Sequence, residues 1–204
     1  MKENIFIGKT KEEAIEKALT ELKTTEDSII VKVLSEKQGL LKKEVKIEVI
    51  NINDVITYLK DSVKEITGLM NIESNLEVKR REKNIIIEIY SDKNSILIGK
   101  NGKNLEALQN IIRQIVPIEV NNTYKIVIDI ENYKDRRITK LERMAKQIAR
   151  EVKMTKVESK LEPMNPYERR AIHNALTNNK YVYTESVGEE PNRCIVIKPK
   201  EDIE

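Results

Sequence analysis

Tryptophan is missing from this 204-residue chain, phenylalanine occurs once as Phe6, and seven tyrosines make up the rest of the aromatic content. Modules that hold single strands by stacking bases on exposed rings are therefore disfavoured, and any nucleic-acid contact should run mainly through charge and backbone. Cysteine is as scarce: Cys194 alone excludes an internal disulfide and suits a reducing compartment. With a single histidine, and no His, Cys or carboxylate cluster at ligand spacing, no metal site is expected. Neither paired carboxylates nor a nucleophile–base set can be assembled, so no catalytic residue and no cofactor is expected, and an enzyme is the poorest reading. No apolar run approaches the roughly 20 residues that span a bilayer. The opening MKENIFIGKTKEE lacks the apolar core of a secretion signal, so a cytoplasmic protein is expected.

Charge is abundant, at 35% of residues, against 39% hydrophobic, which points to small cores with heavily solvated faces. The net charge of +3 is unevenly spread: zero over residues 1–52, −1 over 53–131 and +4 over 132–204. A polyanion would find its electrostatic footprint in the last third.

Periodicity divides the chain at the same places, with joins near 52 and 132 too short for linkers. Residues 1–52 read β-α-β-β: a strand at Ile5-Phe6-Ile7, a helix capped by Thr10 with Glu13 three residues on, then strands over Ile29–Leu34 and Val45–Ile50. Residues 53–131 read α-β-β-α-α-β. A helix striped by Val55, Ile56, Leu59, Val63 and Ile66 is expected to end at Gly68. Strands over Asn75–Arg80 and Asn84–Tyr90 follow, then a glycine loop and a helix carrying Leu105, Leu108, Ile111, Ile112 and Ile115, stopped by Pro117. A strand over Tyr124–Ile130 closes this part. Residues 132–204 open with a basic helix from about Tyr133 to Met154, with an apolar seam at Ile138, Leu141, Ala145, Ile148 and Val152. A strand over Lys156–Leu161 follows, then a helix with Asn165 as cap, Pro166 in the first turn and Glu168 at the third position. Its buried stripe is expected to be Ala171, Ile172, Ala175 and Leu176. Two strands, Tyr181–Glu185 and Cys194–Lys198, complete an α+β chain of three small domains.

Two phosphate-loop readings fail on spacing. The GKT at 8–10 would need a glycine where Glu3 stands, and a Walker loop ending at Gly102-Lys103 would need glycine and Ser/Thr where Leu97 and Asn104 stand. What remains is Gly99-Lys100-Asn101-Gly102-Lys103, joining two helices. Glycines let a phosphate chain come close, the amides opening the next helix favour an anion, and Lys100 and Lys103 add charge without selecting a base. SILIGKNGKNLEALQ, set in α-β-β-α-α-β order, resembles the GXXG signature of a type II KH domain. The resemblance implies that Gly99, Lys100, Asn101, Gly102 and Lys103 clamp a single-stranded RNA backbone.

Further on, Arg169 and His173 are four apart in NPYERRAIHNAL, with Arg170 between them. With VYTESVGEEPNRCIVI after it, this segment resembles the R-3-H domain, named for its Arg-x-x-x-His pair. That resemblance implies a long helix followed by β-α-β-β, and single-stranded nucleic-acid contacts by Arg169, Arg170 and His173. Together the order looks like the Jag family, also called the SpoIIIJ-associated or KhpB/EloR family: a Jag N-terminal domain at 1–52, a KH domain at 53–131 and an R-3-H domain at 132–204. It implies a non-catalytic protein that binds single-stranded RNA, or single-stranded DNA, in a bacterial role in cell elongation or division. It also implies a small KH-domain partner or a homodimer, and a contact of residues 1–52 with a membrane-associated protein, without membrane insertion. Two features depart from the family: Lys37-Gln38-Gly39-Leu40-Leu41-Lys42 stands where a K-K-G-F-L-G-like stretch is usual, and Val49 to Asp54 leaves almost no linker. The near-neutral 53–131 segment keeps an alternative open, an adaptor that dimerises through its KH domain with little RNA binding.

Overall fold

A computed structural model describes residues 4–38 and 43–200, as two compact units, Met1–Glu131 and Asn132–Glu204. Most of the Lys37–Lys42 stretch lies outside the described residues.

The first unit opens with β1 (Asn4–Gly8), α1 (Lys11–Leu22), β2 (Ile29–Gln38) and β3 (Lys43–Asn51), an antiparallel sheet in the order β1-β3-β2. Phe6, Ile47 and Val49 from the sheet close over Ala14 and Ala18 of α1, so the half-buried alternation and the helical stripe meet in one small core. The Gly8 of the GKT triplet has a purely local reason. A Cβ there would lie 2.6 Å from the Ala14 nitrogen, so the first turn of α1 packs directly on the strand end. Thr10 caps α1 as expected, its hydroxyl accepting from the Glu13 N–H at 3.2 Å. The return bond differs from a capping box: the Glu13 carboxylate accepts from Lys9 N–H at 2.9 Å, one residue earlier.

Asn51 is both the last residue of β3 and the cap of α2 (Ile52–Leu69), its side chain accepting from Asn53 N–H at 2.9 Å. Gly68 lies inside this helix rather than at its cap, and a Cβ there would meet nothing within 4 Å. The left-handed residue that turns the chain is Asn71 (φ 55°), followed by Ile72 N–H donating to the Thr67 carbonyl at 3.0 Å. Then come β4 (Asn75–Arg81), β5 (Asn84–Tyr90), α3 (Asn94–Ile98), α4 (Lys103–Gln114), α5 (Ile118–Thr123) and β6 (Lys125–Asp129). The sheet runs β4-β5-β6, with β6 parallel to β5. Ile85, Ile87 and Ile89 are fully buried on one face, as the alternation predicts. Pro117 does stop α4, but the chain immediately starts α5, a short helix the residue pattern does not announce.

Arg80 ties the two halves of this unit together. Its guanidinium donates to the Ser28 hydroxyl at 3.0 Å, to the Asp27 carbonyl and to the Tyr124 hydroxyl at 3.1 Å, and lies over the Tyr124 ring. Lys32 pairs with Glu119 at 2.6 Å. The first two sequence segments therefore pack as one body.

On the outer face of the β4–β5 hairpin, Glu77 stands directly opposite Glu88. Lys79 separates these like charges, 2.7 Å from Glu88 and 3.8 Å from Glu77, and the Tyr90 hydroxyl donates to Glu88 at 2.7 Å. The Lys79 ammonium, then the Tyr90 hydroxyl, hold the Glu88 carboxyl below its usual range. The same carboxylate carries the Tyr90 phenol up to about 12. Because the folded Glu88 is depressed, its contribution is present above the ordinary carboxylate pKa and is lost as pH falls through its folded value. Ultraviolet titration should show a tyrosine fraction ionising near pH 12. That fraction should leave this range in Glu88→Gln; its persistence there would contradict the cause assigned.

The second unit comprises α6 (Tyr133–Thr155), β7 (Ser159–Lys160), α7 (Pro166–Leu176), β8 (Val182–Val187) and β9 (Cys194–Pro199), with sheet order β7-β9-β8. The expected 156–161 strand shrinks to two residues, because only Ser159 and Lys160 pair with β9 and Lys156 (φ 61°) is still turning the chain out of α6. In α6, Leu141, Ala145, Ala149 and Val152 are buried, while Ile138 and Ile148 are half-buried. The α7 capping box is complete: Asn165 accepts from Glu168 N–H at 3.0 Å, and Glu168 accepts from Asn165 N–H at 3.2 Å. Among the described residues, no helix is long and apolar enough to cross a membrane, and no group of His, Cys, Asp and Glu is arranged to hold a metal ion.

Candidate nucleic-acid interface

The glycine loop sits between α3 and α4. Gly99 adopts φ 71°, ψ 178°, a conformation essentially confined to glycine, and a Cβ there would fall 2.6 Å from Asn104 Cγ. Asn104 occupies that space because its amide donates to the Ile96 carbonyl at 2.8 Å, closing the end of α3. Lys100–Gly102 form one 3-10 turn, with Asn101 (φ 55°) and Gly102 (φ 80°) both left-handed. Gly99 N–H bonds the Ser95 carbonyl at 2.9 Å and Gly102 N–H bonds the Gly99 carbonyl at 3.2 Å. The loop is thus a fixed, hydrogen-bonded shape.

Lys100 and Lys103 are exposed on this turn, whereas Gly102 is buried beneath it. The α4 cap, Gly102, supplies no side-chain acceptor, the Lys103 N–H donates back to the Lys100 carbonyl, and the positive end of a 12-residue helix faces the loop. Ile96 on α3 and Ile111 on α4 stay about half exposed, so the flanking helices also offer apolar surface. Leu105, Leu108 and Ile112 of the expected stripe are buried, but Ile111 is not, and Gln109 takes a core position beside them. Gln109 enters the core because its amide serves the open edge of β6, donating to the Ile126 carbonyl at 3.0 Å and accepting from Ile128 N–H at 2.8 Å.

The Arg-x-x-x-His helix is α7, laid against β8. Arg169 and His173 are one turn apart, and they meet Ser186 and Thr184, two residues apart on the strand. A helical step of four residues and a strand step of two are both about 6 Å, so the two elements run in register. The two side chains differ sharply in exposure. His173 is exposed, its ring anchored where Nδ1 meets the Thr184 hydroxyl at 2.7 Å. Arg169 is 8% exposed and takes a core position together with Ile172 and Leu176, which leaves Ala171 and Ala175 only half-buried. Its Nε donates to the Met164 carbonyl at 3.2 Å, Nη1 to the Ser186 hydroxyl at 2.9 Å, and Nη2 to the Glu190 carboxylate. Arg193 Nε shares Ser186 at 3.0 Å. Arg170 points outward and is exposed.

Glu168, also buried, accepts from Arg137 Nε of α6 at 2.8 Å, so the first turn of α7 is bolted to the long helix. Thr184, Ser186, Glu190 and Arg137 are invisible to local sequence reasoning, since each partner lies 11 to 31 residues away. The GEEPNR loop, turn-rich in sequence and otherwise silent there, supplies two of the groups that fix the site.

Comparison with known proteins gives three family matches: Jag N-terminus over residues 6–50, KH domain over 54–135 and R-3-H domain over 139–199. The chain is 38% identical over 201 residues to the RNA-binding protein KhpB of Clostridium symbiosum, covering 96% of this chain and 90% of that protein. It is 30% identical over 200 residues to the RNA-binding protein KhpB of Bacillus subtilis (strain 168), covering 95% of this chain and 96% of that one.

Proposed function

Since the chain belongs to the KhpB family, with Jag N-terminal, KH and R-3-H domains, we propose that it binds single-stranded RNA through two separate surfaces, one in each unit. It is not an enzyme; its domains are of non-enzymatic families. In the first unit, Gly99–Gly102 and the opening of α4 receive the phosphate chain, and Lys100 and Lys103 supply its counter-charge. In the second, Arg170 and His173 make the contacts, while Arg169 holds α7 against β8. The observation that carries this reading is the Gly99-to-Asn104 geometry, a glycine-only turn held by the Asn104 amide so that a backbone can approach the start of α4.

Fluorescence anisotropy of the intact chain with single-stranded RNA at rising salt tests it. The logarithm of affinity should fall linearly with that of salt, by about 0.7 per phosphate contact. A salt-independent affinity would sink the reading. The net charge of −1 over residues 53–131 favours a second one, an adaptor that self-associates through this segment. Salt-tolerant dimers in ultracentrifugation, with RNA binding absent, would decide for it.

A further inference from the structure

Aromatic side chains are few, but one stands exposed on α7, the helix that carries Arg170 and His173. Tyr167, at the second position of α7, is 68% exposed. Arg170 and Asn174 follow at steps of three and four, so the three lie one above another on the exposed face, opposite Ile172 and Leu176. Among the described residues, no hydrogen bond, ion pair or ring contact engages the side chain of any of the three. Three other tyrosines are committed: Tyr90 to Glu88, Tyr124 to Arg80, and Tyr181 to Lys153, whose ammonium lies 3.6 Å from the ring centroid. Tyr58 and Tyr183 are less exposed than Tyr167, at 36% and 45%. Meanwhile the backbone under Tyr167 is fixed on both sides, by Pro166 and by Glu168, which closes the capping box and pairs with Arg137. An exposed phenol on a rigid turn gives up little freedom when a ring lands on it.

Resting on the RNA reading above, we infer that Tyr167 is a base-stacking platform for a single strand, with Arg170 beside it taking the adjoining phosphate. Arg170 rises about 4.5 Å further along the helix axis, within guanidinium reach of the backbone of a nucleotide seated on the ring. The positive balance of this unit supplies the matching field, and the outward face carries no carboxylate between 167 and 174 other than the buried Glu168. The shortage of aromatics thus does not exclude stacking, since one exposed ring is enough to seat one base.

The chain contains no tryptophan, so Tyr167→Trp places a sole indole at the platform. Oligouridylate should quench its fluorescence, while inorganic polyphosphate, a polyanion without bases, should not. Tyr167→Ala should weaken RNA binding roughly 5- to 100-fold with the salt dependence unchanged, and Tyr167→Phe should restore it. An unaltered affinity in Tyr167→Ala, or equal quenching by both polyanions, overturns the inference. RNA binding with a silent indole removes the platform alone, whereas no RNA binding by the unsubstituted chain removes the functional reading with it.

Discussion

Lys100→Asp combined with Asn101→Asp should lower single-stranded RNA affinity roughly 10- to 100-fold, the range expected when charge-assisted contacts are lost. The pair removes one positive charge and adds two negative ones on the exposed turn between α3 and α4. Neither change should disturb the fold by more than about 1 kcal/mol. Lys100 is exposed, and position 101, at φ 55°, is left-handed, a conformation aspartate enters nearly as readily as asparagine. The salt dependence should shrink as well, by about 0.7 for each phosphate contact removed. Anisotropy titrations paired with thermal melts read both quantities; an unchanged affinity in a folded variant would mean the loop is not the grip. Gly99→Ala is the wrong probe for this question. Its Cβ would strike Asn104, displace the amide from the Ile96 carbonyl and add strain of about 1–3 kcal/mol, so lost binding would not separate contact from collapse.

The contrast between those variants marks how far residue patterns reach. Periodicity reads faces well: Ile85, Ile87 and Ile89 alternate into the core, and Asn165, Pro166 and Glu168 start α7 where they are found. It reads ends poorly, because a cap is a backbone conformation. Gly68 looks like a terminus, yet the chain turns left-handed three residues later at Asn71. It also reads charged core positions poorly. Residues 169, 172 and 176 have core spacing, but a guanidinium at the first hides the stripe, since burying it depends on Ser186 and Glu190, 17 and 21 residues downstream. Likewise, the union of the first two segments rests on Arg80 reaching Asp27 and Ser28 across more than 50 residues. Local signals therefore placed the glycine loop and α7 on the chain, while the side chains that stiffen them came from pairings that only the fold creates.

Arg169 is where that distinction has its largest measurable consequence. Arg169→Ala should destabilise the second unit by about 2–4 kcal/mol, whereas His173→Ala should cost under about 1 kcal/mol. Truncation at 169 empties a core position and strips donors from the Met164 carbonyl and the Ser186 hydroxyl. The ion pair itself adds less than a fully dry one, since the Glu190 side chain is 54% exposed and water can solvate it once freed. Arg169→Lys should fall between, because one ammonium cannot span three acceptors arranged around a planar fork. Two units can unfold separately, so the readout is hydrogen exchange at α7 and β8 in the intact chain rather than a single melt. Unchanged protection in Arg169→Ala, with RNA affinity lost, would make this arginine a ligand-binding group; lost protection makes it the pin that presents His173 and Arg170. Hence Arg170→Ala with His173→Ala, not a pair that includes Arg169, is the substitution that reads the second surface without dismantling it.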